Sequence, residues 1–353
     1  MKDVAKNEKR GTTTSAVVQC SARSSGACLD QSIFGEQEGK AYCVLHFPGD
    51  EKKEPFESAV TKKIGAKDFN FRCVWFPRGF QFRTEEFAEG FDFRSASFNN
   101  NAYFRGARFA SDVSFEEASF NEGAIFENAT FSRKVSFIAA RFHKNANFRS
   151  TRFESLADFR DCVFSQRAEF DRAVFLTIGS FWPATFCSTA SFYEANFKKA
   201  NFRVSEFRAD ATFSWCLFCS AEFIDSSFSG TADFFKAEFE GAAFFTSALF
   251  NHAAKFNMAT FDAEARFTSA TFDGEADFSY AVFASRVVFS AEHESGGFGD
   301  RASCDFRHTQ FENPNLVSFH SLTLRPNWFL KRGLLGNGIC RCPLDRGSTA
   351  GVH

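Results

Sequence analysis

Cys20, Cys28, Cys43 and His46 stand in the spacing C-x7-C-x14-C-x2-H near the start of the sequence. Three thiolates and one imidazole are a donor set for tetrahedral zinc. In "YCVLHFP" the last two lie three positions apart, as a metal knuckle on one turn requires. The competing reading is four ordinary side chains, since C-x7-C is loose and only Cys43 and His46 are close. Elsewhere the chemistry is thin. His143, His252, His293, His308 and His320 are scattered, no Ser or Cys sits in a nucleophile elbow, and no Gly-rich phosphate loop occurs. Cys340 and Cys342, in C-x-C, read as a chance pair. The expectation is a chain that is not an enzyme, with no catalytic residues and a structural zinc ion as its one candidate cofactor.

The elements that position this cluster come from a chain of unusual make-up. Of 353 residues 54 are Phe, against two Met and four each of Trp and Tyr. A core drawn from one residue type implies one core environment used many times, the mark of a repeat protein. The formal net charge of −2 supplies neither a basic field for nucleic acid nor an acidic field to imitate it. The opening "MKDVAKNEKRGTTTSAVVQC" lacks the apolar core of a secretion signal, and no apolar run is long enough to span a membrane. Eleven Cys at irregular spacings fit reduced thiols and a cytoplasmic location better than a disulfide framework.

Phe120, Phe126, Phe131, Phe137 and Phe142 follow one another at steps of six, five, six, five, a beat that runs from Phe82 to Phe289. Two positions before nearly every one sits a small or β-branched residue such as Ala118, Ala124, Ala129 or Val135, with Cys162, Gly179 and Cys216 as variants. On a helix this average step rotates by about 190°, so successive Phe would face opposite ways and form no stripe. On an extended unit, residues two apart face the same side. Small residue and Phe therefore both point inward. Four units close a coil of 22 residues, taking Phe104 to Phe126, Phe148 and Phe170. Coils stacked at about 4.8 Å would then pile Phe on Phe. From Phe192 to Phe207 and from Phe213 to Phe228 the steps are five, five, five, giving coils of 21 residues. There a corner bulge should be missing, with no break in the column.

The predicted architecture is all-β, a quadrilateral parallel β-helix (solenoid) of about nine to ten coils of 21–22 residues with small N-terminal and C-terminal caps. Such a rod is roughly 45 Å long. Residues 1–55 form a Cys/His-containing leader, partly disordered or knuckle-like; 56–75 an N-terminal cap over the strand edges of the open end; 76–319 the solenoid, with a loop insertion at 290–303; and 320–353 a terminal cap and disordered tail.

The units in "ADFRDCVF", "ANFRSTRF", "AEFDRAVF" and "ANFKKANF" resemble those of pentapeptide-repeat proteins, in a Phe-centred form with alternating five and six spacing, over about residues 74–311. Many relatives place Leu where this chain has Phe. The resemblance implies a right-handed quadrilateral β-helix whose repeats carry no catalytic site. Most such proteins have no known activity, a few mimic DNA and protect type II topoisomerases, and some join toxin or kinase modules. Leaders bearing Cys and His precede the repeats in some of them.

The leading functional reading is a non-catalytic scaffold whose rigid faces bind another protein or a second copy of the chain. The alternative is a DNA-mimicking protector of a type II topoisomerase, which needs stacked acids imitating phosphates. Taken every 22 residues, the positions before Phe read Arg108, Thr130, Arg152, Val174 on one side and Ser114, Ser136, Asp158, Ser180 on another. Neither is an acid ladder, and no nucleic-acid partner is expected. Nor do Thr130, Thr185 and Thr260 form the persistent threonine ladder of an ice-binding rod. The inward and outward assignment predicts that Phe159→Ala costs about 3–5 kcal/mol through cavity formation. It predicts that Arg160→Ala costs almost nothing.

Overall fold

The computed structural model describes residues 19–22, 28, 32–78, 86–290, 297–298 and 303–320. Phe82, most of the 290–303 loop, Cys340, Cys342 and the tail from residue 321 lie outside the described residues. A unit with one small residue and one Phe supplies only a few extended residues before a corner, so most strands span two residues, as at Ala124–Ile125 and Thr130–Phe131. Four such strands make a coil, and coils stack in parallel register one turn apart. The register reads Phe109, Phe131, Phe153 on the first wall and Val113, Val135, Ala157 on the second. It reads Phe98, Phe120, Phe142 on the third and Ala102, Ala124, Ala146 on the fourth. The fourth wall is a 10-stranded sheet and the third an 11-stranded one, while the first and second join in a sheet of 19 strands. Among the described residues, α1 (Lys53–Gly65) is the one α-helix.

Phe rings from all four walls fill the shaft. Along each wall the rings lie nearly parallel at the strand spacing: Phe120 and Phe142 have centroids 4.8 Å apart at 2°, and Phe137 and Phe159 4.9 Å apart at 4°. Across the shaft the contacts turn edge-to-face, as between Phe126 and Phe137 at 5.4 Å and 84°. Both are favoured quadrupole arrangements. The small residues between them are buried too, Cys162 and Cys216 included. These two thiols donate to the carbonyls of Phe137 and Phe192 one coil away, so the polar atom is satisfied inside an apolar shaft.

The two step lengths are two kinds of corner. In the five-residue corners the carbonyl of Phe accepts from the amide three residues on, as in Ala129 N to Phe126 O at 2.9 Å. The third residue of the turn takes a left-handed conformation, with φ +58° at Asn128 and +58° at Glu117, as a type II turn requires at that position. The six-residue corners carry the extra residue.

In the coils of 21 residues that extra residue is absent at the corner between the first and second walls. The strand Val174–Ser180 pairs with Asn196–Asn201 with a register shift between Phe175 and Ile178, and Asn196–Asn201 runs straight across the corner. The column continues, with Phe175 on Phe197 at 4.5 Å and Phe181 on Phe202 at 4.7 Å.

One expectation is corrected. Side chains flanking Phe are not uniformly solvated. On the second wall Asp158 is only 1% exposed. Arg160, two residues on and therefore on the same side of the strand, folds its guanidinium over the carboxylate, Nε to Oδ1 at 2.9 Å and Nη2 to Oδ2 at 2.8 Å. The same Asp-Phe-Arg clasp recurs at Asp92/Arg94 and Asp305/Arg307. Arg160 is thus the partner of a buried charge, so its removal is not free.

Candidate metal centre

The N-terminal ligand cluster is built from local turns. β1 (Gly35–Gln37) and β2 (Lys40–Tyr42) pair antiparallel around Glu38 and Gly39, both at positive φ (51° and 72°). Such a two-residue turn matches the twist of the strands it joins. The hairpin delivers Cys43 into a tight turn whose first carbonyl accepts from the amides of His46 and Phe47 at 3.1 and 3.0 Å. Cys43 and His46 therefore face one point. Cys20 and Cys28 arrive there from earlier in the chain. All four are buried, and their ligand atoms lie within 4.8 Å of one another. Cys43 Sγ is 3.1 Å from His46 Nδ1 and 3.5 Å from Cys28 Sγ, while Cys20 Sγ is 3.7 Å from His46 Nδ1.

For comparison, a tetrahedron with Zn–S bonds of about 2.3 Å has edges of roughly 3.8 Å. The His46 ring is fixed from behind, because Nε2 lies 3.0 Å from the carbonyl oxygen of Arg72, an atom that only accepts. Nε2 must carry the proton, leaving the Nδ1 lone pair aimed into the cluster. Burial pushes the Cys43 thiol up, and the amide of His46 and the Cys28 thiol draw it partly back.

Sequence reasoning missed Lys52. In "GDEKKEPF" it looks like any solvated charge, indistinguishable from Lys53. Its side chain is fully buried at the start of α1, donates from Nζ to the carbonyl of Leu45 at 3.0 Å, and lies 4.7 Å from the Phe56 ring centre. Burial pulls the ammonium down to about 7, against the pull of Cys43, Asp50 and Glu51. The Leu45 carbonyl also accepts from the amide of Trp75, at 3.0 Å. That residue opens β3 (Trp75–Phe76), the first strand of the third wall. Phe56 of α1 is buried and meets the Phe76 ring edge-on at 5.7 Å.

A second feature lies on the surface, at the corner from the fourth wall to the first. Its left-handed residues stack one coil apart, each amide bonding the next coil. Toward the N-terminus they are polar, with Arg172 paired to Glu194 at 2.6 Å. Beyond that they read Trp215, Lys236, Met258, Tyr280 and His308. Lys236 Nζ sits 4.2 Å from the Trp215 ring centre, and Tyr280 stacks on His308 at 4.6 Å. Trp215 is 46% and Tyr280 51% exposed. His143 and His252 are exposed singly, away from any cluster.

No helix among the described residues is long and apolar enough to cross a membrane. Residues 93–140, 126–174 and 245–291 match the family model for pentapeptide repeats (9 copies). Among curated proteins no match to the sequence was found.

Proposed function

We propose, from the premise that these coils are pentapeptide repeats, that the chain is a non-catalytic scaffold which binds another protein along one corner of its rod. The supporting observation is the ridge of Trp215, Met258 and Tyr280, which keeps large apolar side chains in water on three of four consecutive coils, with Lys236 between the first two. Aromatic and Met side chains are enriched in protein interfaces, and a rigid rod presents them with little ordering cost. A reducing, cytoplasmic setting suits the free thiols.

Mimicry of DNA draws no support from the faces. In register, Thr130 neighbours Arg108 and Arg152, and Ser136 neighbours Ser114 and Asp158. These ladders are mixed or neutral. Gyrase supercoiling in the presence of an inhibitor should accordingly be unprotected by stoichiometric protein.

The binding reading is tested by affinity capture from the source organism's lysate, comparing the wild-type chain with Trp215→Ala/Met258→Ala/Tyr280→Ala. Analytical ultracentrifugation of both covers self-association. A partner or oligomer lost in the triple variant supports the reading. Identical capture and identical sedimentation by both proteins would contradict it.

A further inference from the structure

The cluster of Cys20, Cys28, Cys43 and His46 and the buried Lys52 have no part in a corner-binding scaffold. We propose that the four ligands hold one zinc ion, that the Lys52 ammonium neutralises the resulting anionic centre, and that the loaded centre clasps the N-terminal cap onto the first coil.

The donor chemistry supports the first step. A disulfide between Cys28 and Cys43 requires sulfurs about 2.05 Å apart and would leave Cys20 and His46 with nothing to converge on. One cation instead uses all four. The Nε2–H of His46 bonded to the Arg72 carbonyl is the outer-sphere arrangement that fixes a metal-binding imidazole. On binding, three thiols give up three protons to solvent, and Zn²⁺ with three thiolates and a neutral imidazole carries one net negative charge.

Lys52 balances that charge. A buried ammonium is costly unless paired. At the first turn of α1 it also faces the positive end of the helix dipole, where an acid would be favoured. Local preference therefore does not place it there. Its hydrogen bond to Leu45, inside the Cys43–His46 turn, places the ammonium on the turn that carries two of the four ligands. Asp50 and Glu51 act on it in the same sense from their own side.

The clasp follows from what the turn holds. Leu45 covers the outer edge of β3 through the Trp75 amide, and His46 holds the Arg72 carbonyl. Cys20 and Cys28 already pack in the buried cluster continuous with the shaft, and the metal would add a bond from each of them to the Cys43–His46 turn.

The test uses the full chain purified without chelator. Elemental analysis should give one zinc per chain, and cobalt(II) exchanged into the site should show the visible bands of a tetrahedral thiolate centre. Less than a tenth of an equivalent, with no cobalt bands on reconstitution, would overturn the site. Chelator competition on Lys52→Met should show zinc held about 10–100-fold more weakly; unchanged affinity would overturn the role of Lys52. Stripping zinc from wild-type protein, which needs no variant to fold, should abolish hydrogen-exchange protection of the Trp75 amide while the Phe126 amide keeps its own. Undiminished protection at Trp75 would overturn the clasp.

Discussion

The Arg160 guanidinium closes over the Asp158 carboxylate in two parallel hydrogen bonds, and of the two side chains only the arginine reaches water. Arg160→Ala would leave a buried carboxylate without its main partner. The expected loss is about 1–3 kcal/mol, the cost of an unsatisfied buried polar group, tempered by water at the exposed arginine. In a double-mutant cycle by urea denaturation, removing Asp158 as well should recover part of it. An Arg160→Ala variant as stable as wild type would contradict the burial of the pair.

Phe159 lies between Phe137 and Phe181, each 4.9 Å away, and is fully buried. Phe159→Ala opens a cavity that stacked neighbours cannot collapse into without breaking their own contacts. A loss of about 3–5 kcal/mol is expected in chemical denaturation. A loss below that of Arg160→Ala would mean the ring is not part of the shaft.

Gly179 occupies an inward small-residue position where even alanine is too large. A Cβ there would lie 2.8 Å from Phe175 Cδ1 and 3.1 Å from Phe197 Cε1. Both rings are held in the column, so Gly179→Ala should destabilise by about 1–3 kcal/mol through overpacking. Thermal unfolding of that variant at or above the wild-type temperature would show that the corner relaxes freely.

Val204 holds φ +57° at an exposed corner, an unfavourable conformation for a β-branched residue. Val204→Gly should stabilise by about 0.5–1 kcal/mol, the relief of strain exceeding the added entropy of glycine in the unfolded chain. A lowered denaturation midpoint would argue against the left-handed corner.

The walls were legible because their signal is redundant. Phe131, Phe153 and the small residues between them repeat one instruction at each coil, and the missing corner residue near Phe197 could be counted from the spacing. Outward chemistry was not legible to the same degree. Arg152 and Asp158 occupy equivalent places before a Phe and each pairs with an opposite charge two residues on, yet Arg152 is exposed and Asp158 buried, because the short carboxylate lies beneath the longer arginine while Arg152 itself reaches out to Glu154. The Asp-Phe-Arg order at 158–160 carried that information through the period of a strand, and counting charges hid it. Left-handed corners went unread because Asn128, Glu117 and Trp215 hold them where glycine would have announced them. At the metal centre, the C-x2-H of Cys43 and His46 was visible as a turn. Cys20 and Cys28 were loose companions until the fold brought them in, and Lys52 had no signal at all.

One uninterrupted column of coils runs from Phe87 to Phe289. Each inward Phe of the second and fourth walls donates its amide to the next coil, as Phe126 does to Asn147 and Phe202 to Glu222, at 2.7 and 2.8 Å. Residue-resolved hydrogen exchange reads these bonds directly. One slow class of Phe amides is expected from Phe104 to Phe278, with the shortened coils at Phe202 and Phe223 as protected as their neighbours. Rapid exchange at those two positions, or protection in a helical pattern, would contradict it.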